Sequence, residues 1–228
     1  TRLKPYHDHN AASVRPGLLQ QLSAGAAIAL VSDAGMPMVS DPGYKLVRDC
    51  VEHGIAVDVV PGPTAPVAAL ALSGLPSDRF MFAGFLSAKS GARQRQLQEL
   101  SAIPATLLLF ESAARIKTSL SDIADVMGSR PLAVAREMTK LHQEVLRGDA
   151  AGILAQLADR PALKGEISIV IAPPADAADL SEEDLSDRLS ELLREHPSSK
   201  AATLLARQTG RPRAALYDLA VSLKNAGS

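Results

Sequence analysis

The chain has 228 residues, 46% of them hydrophobic and 21% charged, and 24 Lys and Arg against 25 Asp and Glu give a formal net charge of −1. This is the composition of a folded globular chain, not a disordered one. No apolar run reaches the ~18 residues of a membrane span, and the opening Thr1-Arg2-Leu3-Lys4-Pro5 has no signal-peptide core. One cysteine, Cys50, excludes an internal disulfide and a cysteine zinc site and fits a reducing cytoplasm. With so little net charge, binding to nucleic acid has to come from local basic patches.

In chain order, Ala26 to Val31 is a continuously apolar run expected to form a strand buried on both faces. Tyr44 to His53 has apolar residues at 46, 47, 50 and 51, a helical spacing closed by Gly54, and Ile55 to Val60 reads as the next strand. Together they predict a right-handed βαβ unit. Thr64 opens a helix of small residues through Ser73. Arg79 to Phe85 reads as a strand, 89–101 as a polar helix, Ala105 to Phe110 as a strand and Ala113 to Met127 as a helix ended by Gly128. Strands are expected at Pro131 to Arg136, Leu141 to Leu146 and Glu166 to Ile171, with a helix near 150–159. Neighbouring strands without a helix between them predict a mixed sheet in the second half.

After Pro173-Pro174 the composition turns acidic, with Asp176, Asp179, Glu182, Glu183, Asp184 and Asp187 forming a connector that enters a helix. Beyond His196-Pro197 the sign reverses, and Lys200, Arg207, Arg211, Arg213 and Lys224 face only Asp218. Ser198 to Gln208, a Thr209-Gly210-Arg211-Pro212 turn, and Arg213 to Lys224 make a helix-turn-helix pattern or a plain helical hairpin. The expected organisation is an N-terminal α/β domain over 1–76, a second α/β domain with a mixed sheet over 77–174, and the tail over 175–228.

The chain has no G-x-G-x-x-G fingerprint, phosphate loop, G-x-S-x-G elbow or H-E-x-x-H zinc motif. His7-Asp8-His9 has no distant partner set in the sequence, so no metal site is expected. The 12-residue Ser32–Gly43 stretch is longer than an ordinary strand-to-helix connection and carries Asp33, Asp41, two glycines and two prolines. It reads equally as a ligand loop or as a connector whose carboxylates cap helices. Pro61-Gly62-Pro63 is a second stiff turn expected at the same crevice.

The run Leu30-Val31-Ser32-Asp33-Ala34-Gly35-Met36-Pro37-Met38-Val39-Ser40-Asp41-Pro42-Gly43 resembles the signature of the tetrapyrrole-methylase superfamily. Further stretches resemble the ribosomal RNA small subunit methyltransferase I family within it: His7 to Asn10, Gly74 to Phe80, Gly84-Phe85-Leu86, Phe110-Glu111-Ser112, Ala135 to Lys140 and Lys164-Gly165-Glu166. The resemblance implies two α/β domains with a cofactor cleft between them and a homodimer. It implies 2′-O-methylation of a cytidine in 16S rRNA near the ribosomal P site, with S-adenosyl-L-methionine as methyl donor. It also implies a further N-terminal segment, with a first strand and a cleft-lining turn, ahead of the part matching Thr1. The cofactor residues it implies are Asp33, Ala34, Gly35, Ser40, Thr64, Ala65, Phe110, Glu137, Met138, Gly165 and Glu166. His7 and Glu137 are the candidate bases for the ribose hydroxyl. Lys89, Arg93 and Arg95, with Arg211 and Arg213 of the tail, are the candidate RNA contacts. The alternatives are a methylase of porphyrin or corrin precursors, a non-catalytic RNA-binding module, and a sugar-phosphate enzyme, the last weakened by the missing phosphate loop.

Overall fold

The computed structural model describes residues 3–174, 182–209 and 211–226. Its centre is a mixed five-stranded sheet built from β1 (Phe80–Phe85), β2 (Thr106–Ser112), β3 (Leu132–Arg136), β4 (Glu144–Gly148) and β5 (Glu166–Ile171), in the order β1-β2-β5-β3-β4. β1 and β2 are parallel, whereas β5 runs antiparallel to both of its neighbours and β3 and β4 pair antiparallel. Leu107–Leu109, and Ile167 with Ile169–Ile171 around the buried Ser168, take the interior positions, where both faces are covered and no regular alternation with polar residues is needed.

One face is covered by α3 (Ala65–Ser73), whose Ala69 and Leu70 pack with Leu108, Ala133, Ala135 and Val170. Small residues let this helix lie close to the sheet. Alternate strand residues, Leu107, Leu109, Leu132, Val134, Ile169 and Ile171, point to the opposite face. Three further helices, α4 (Ser90–Ser101), α5 (Ile116–Met127) and α6 (Ala150–Leu157), pack side by side and supply buried Leu97, Leu120, Ile123 and Ile153. Each such side chain contributes about 1.5–3 kcal/mol on burial. β4 starts three residues later than its sequence suggests, because 137–143 is taken up by a tight turn.

The expected βαβ unit is corrected. Its helix forms as α2 (Tyr44–Glu52), but among the described residues neither 26–31 nor 55–60 joins a ladder. Val31, Val57, Val59 and Val60 are 73%, 50%, 61% and 88% exposed. An apolar run specifies a doubly buried strand only where partners bond its backbone and layers cover both faces, and here neither condition is met. A helix that the sequence did not reveal, α1 (Ala11–Ser23), packs its Leu18 against Leu46 and Cys50 of α2. Arg15 Nε binds Asp49 Oδ2 at 2.7 Å across that contact.

Compact packing divides the chain in two: one unit runs to Ala172 apart from Ala102–Pro104, and these three residues group with the chain from Pro173 onward. The second unit holds α7 (Glu182–Glu195), α8 (Ser198–Thr209) and α9 (Arg213–Ala226). Leu185 and Leu189 of α7 share a core with Ala201, Ala202 and Leu205 of α8 and Leu216 and Ala220 of α9. The expected hairpin of α8 and α9 forms, and the helix at the end of the acidic connector, α7, packs on it as a third member. Asp176 and Asp179 of the acidic connector, and Gly210 of the turn, lie outside the described residues. Among the described residues no helix is long and apolar enough to cross a membrane.

Candidate active site

β1, β2 and β3 run in one direction and β5 in the other, so the carboxyl ends of the first three and the amino end of β5 share one end of the sheet. The pairings Phe85↔Phe110, Ser112↔Glu166 and Arg136↔Ile167 mark that end. Phe110, Glu137, Met138, Gly165 and Glu166, scattered over 57 positions of sequence, are brought there together. Open α/β sheets bind ligands outside the carboxyl ends of their strands. The Phe110 ring meets Phe82 edge-on at 4.9 Å and Phe85 at 5.5 Å, an apolar wall at this end.

The Ser32–Gly43 loop folds toward the same place. Gly35 has φ +73°, and a Cβ there would stand 3.2 Å from the Pro63 carbonyl oxygen, so only glycine lets this loop meet the Pro61–Pro63 turn. Ser32 Oγ steadies the bend through the Ala34 and Gly35 carbonyls, both at 3.2 Å. Ser40 Oγ lies 3.9 Å from the Cβ position of Gly84, at the irregular register between Phe82 and Gly84 of β1. Arg147 of β4 donates to the Leu72 and Ser73 carbonyls at the carboxyl end of α3, and Met138 packs against the cluster that Ala69 and Leu70 of this helix form with the sheet.

On the other side stands the turn after β3. Glu137 N donates to Glu166 O at 3.0 Å, and Glu166 N donates back to Glu137 Oε1 at 2.9 Å. Lys140 Nζ binds Glu137 Oε1 at 2.9 Å and Glu166 Oε2 at 3.0 Å. The Glu137 side chain lies over Gly165, where a Cβ would collide with it. The Glu166 amide, followed by the Lys140 ammonium, holds the Glu137 carboxyl below the usual range, and the same carboxylates raise Lys140. Among the described residues four non-glycines have positive φ: Met38, Ser40, Glu137 and Thr139, at 70°, 62°, 48° and 65°. All four belong to these two loops. Such conformations cost about 1–3 kcal/mol each and persist where the surroundings enforce them, which is typical of ligand sites.

Behind this end lies Glu111, 2% exposed. It takes hydrogen bonds from Ser119 Oγ at 2.5 Å and the Ser112 amide at 2.7 Å, and pairs with Arg115 Nη2 at 2.7 Å. Arg115 Nη1 reaches the Leu86 carbonyl at 3.4 Å, tying the turns after β1 and β2 together. Glu111 and Lys140 lie in stretches that resemble the family, but the sequence gives neither a role, because only tertiary pairing distinguishes them from ordinary surface charges.

Two sequence assignments change. Glu137 as a base is disfavoured: its depressed carboxyl and its commitment to Glu166 and Lys140 suit a structural carboxylate. Arg93 is not a surface cation. It is 3% exposed, its Nε and Nη2 both 2.6 Å from Asp122 Oδ2. Lys89 and Arg95, on either side of it, are exposed. His7 is exposed on the turn leading into α1, where its amide donates to Asn10 Oδ1 at 2.8 Å and its ring meets His9 edge-on at 6.0 Å. In the tail, Arg213 reaches back to α8 through Thr203 Oγ1 at 3.0 Å and Ser199 Oγ at 2.9 Å, and Arg211 N donates to Thr209 Oγ1 at 3.4 Å.

The profile of the Tetrapyrrole (Corrin/Porphyrin) Methylases matches residues 4–154, which contain both strained loops, and that of the RsmI C-terminal HTH domain matches 173–224. The Ribosomal RNA small subunit methyltransferase I of Mesorhizobium japonicum is 44% identical over 225 residues, covering 98% of this chain and 76% of the relative. The protein of the same name from Xylella fastidiosa (strain Temecula1) is 46% identical over 92% of this chain and 78% of its own length. The chain belongs to the ribosomal RNA small subunit methyltransferase I family of tetrapyrrole methylases. The fold is shared more widely: diphthine synthase superposes with a TM-score of 0.53 at 16% identity, over 75% of this chain and 70% of that one. At that identity the likeness concerns the fold alone. In this family member, then, the loops at the carboxyl end of the sheet are the place to look for methyl transfer.

Proposed function

We propose that this chain transfers a methyl group from S-adenosylmethionine to the ribose 2′-hydroxyl of a cytidine in 16S rRNA, near the ribosomal P site. It acts in the cytoplasm, as a homodimer, on the small subunit or its RNA. The observation that carries the reading is the convergence of two strained loops, Ser32–Gly43 and Glu137–Gln143, on one sheet end in a chain of this family. We assign cofactor binding to 1–76 and 77–174 together and a role in RNA engagement to 175–228.

The residues present fit the methyl donor. The Ser32–Gly43 loop carries two carboxylates and no Lys or Arg, which suits a sulfonium, and no phosphate has to be cradled. Asp33 and Glu166 are exposed acceptors for ribose hydroxyls, and backbone groups of Ala34, Gly35, Ser40, Thr64, Ala65, Met138 and Gly165 supply the remaining polar contacts. The Phe110 wall receives the flat base. Bound S-adenosylmethionine supplies an already electrophilic methyl, so the chain has to add alignment and removal of one proton.

Stiff loops meet the alignment requirement. Turns held in left-handed backbone by Gly35–Pro63 packing and by the Glu137–Glu166 bonds need little reorganisation when substrate arrives. Proton removal falls to His7, an exposed imidazole on a turn steadied by Asn10. Glu137 stays a carboxylate that shapes the wall. Lys89 and Arg95 present cations to the RNA backbone, and Arg211 and Arg213 do so in the tail.

The test is transfer of labelled methyl to small subunits from a strain lacking the modification, with the modified nucleotide mapped afterwards. The expected result is a single 2′-O-methylated cytidine in 16S rRNA and a slower single turnover for His7→Ala at unchanged cofactor affinity. No transfer to particles or free RNA, or methyl on a tetrapyrrole precursor instead, overturns the reading. An unchanged single-turnover rate removes His7 from it.

A further inference from the structure

We infer that Lys140 is a positioning residue for the methyl donor, acting as a cationic clamp that keeps the Glu137–Lys140 turn in its binding shape before any ligand arrives. The inference rests on the proposed cofactor site and names a residue which that reading leaves without a role.

Two carboxylates, from Glu137 and Glu166, face each other across the start of β5, and the Lys140 ammonium stands between them at 2.9 and 3.0 Å. Without it, the two like charges would repel across the start of β5, softened because the Glu166 side chain is 82% exposed, and the Glu137 side chain, 18% exposed, would lose one of the partners that hold it over Gly165. That side chain cannot shift quietly, because its Oε1 also accepts the Glu166 amide and its backbone sits at φ +48°. Thr139, one residue from the ammonium's own backbone, is held at φ +65°. Met138 between them packs into the cluster beneath α3, the helix whose amino end carries Thr64 and Ala65. Losing the clamp therefore loosens Met138 and Glu166 together, and these are two walls of one site. The ammonium is 47% exposed, so solvent screens the pairs and a modest effect is expected, not abolition.

Two measurements on the full chain test the assignment. In the ligand-free protein, Lys140→Met should speed amide hydrogen exchange at Glu166 relative to the interior of β5. By calorimetry the same variant should bind S-adenosylmethionine and its demethylated product each about three- to tenfold more weakly, with melting temperature unchanged. Lys140→Arg should restore both. The Lys140→Met penalty should shrink in a Glu166→Gln background, since one of the repelling charges is then gone; a residue that merely packs, or touches RNA, has no reason to couple to Glu166 in this way. Unchanged exchange at Glu166, an equal penalty in both backgrounds, or a defect confined to the KM for RNA overturns the proposal. A parent chain that binds no cofactor, while exchange still responds to Lys140→Met, leaves the clamp standing and removes the function proposed above.

Discussion

Arg93→Met distinguishes an interior role from a surface one. Arg93 and Asp122 are 4% and 8% exposed at the side chain, and the guanidinium reaches one carboxylate oxygen through two nitrogens at 2.6 Å. It also donates to the Ser87 and Ala88 carbonyls, each at 3.2 Å, so it ties the β1–α4 turn to α5. Removing one partner of a buried pair costs about 3–5 kcal/mol, because the other charge is left behind. The low end applies here: Ser90 Oγ at 3.0 Å and Gln94 Nε2 at 2.9 Å still serve the Asp122 carboxylate after the change. About 3 kcal/mol, at roughly 2–4 °C per kcal/mol for a unit of this size, lowers Tm by about 6–12 °C. Arg93→Met/Asp122→Leu should recover much of the loss, since an apolar pair leaves no unpaired charge. Thermal denaturation followed by circular dichroism reads the effect, with RNA affinity measured in parallel. A fall in Tm of under about 2 °C, together with a weaker salt dependence of RNA binding, would refute the reasoning and return Arg93 to the RNA surface.

Lys89→Glu/Arg95→Glu should do the reverse, reducing RNA affinity with Tm nearly unchanged. Each lost phosphate contact should reduce the salt slope of log K by about 0.7–0.9 in magnitude, and an unchanged slope in fluorescence anisotropy removes this helix from the interface. Acid should unfold the protein through its paired carboxylates. Burial works to raise Asp122, but hydrogen bonds from Gln94, Ser90 and Arg93 outweigh it and hold the carboxyl below its usual value; Arg160 and Arg136 do the same against burial at Glu144. The unfolded chain then binds more protons than the native one, so these groups stabilise the fold above about pH 4 and the contribution fades as pH falls through their native values. Asp122→Asn should flatten Tm against pH below about 4, where the contribution of the native carboxylate begins to be lost, and an unaltered profile argues against the pairing.

How far the fold was legible depended on where partners came from. β2 and β5 read correctly because their interior is dominated by apolar residues, Leu107–Leu109 in one and Ile167 with Ile169–Ile171 in the other, and α5 because its helical spacing is broken off by Gly128. Ala26–Val31 and Ile55–Val60 satisfied the same rule and formed no ladder among the described residues. An apolar run states that a segment can be buried; whether it is depends on strands elsewhere in the chain. α1 failed in the opposite direction, with Pro16 inside it and Leu18 alone fully buried, so little periodicity was there to detect. Arg93 was misplaced for a related reason. Its residue type puts it on the surface by default, and only Asp122, 29 positions away, draws it inside.

The site divides along the same line. The Ser32–Gly43 loop announced itself through glycines, prolines and length, all of them local properties. The Glu137–Lys140 turn carries no glycine and no proline, yet two of its residues hold left-handed backbone. Nothing in Glu137-Met138-Thr139-Lys140 requires that shape by itself. It is imposed from 26 to 29 positions away, by the Glu166 amide, the Glu166 carboxylate and the space that Gly165 leaves open. A family resemblance can mark such a turn, but its cause is tertiary. The same strain that hid it from local reading makes it informative once seen, because a chain without need of that wall would relax a non-glycine out of it and gain about 1–3 kcal/mol.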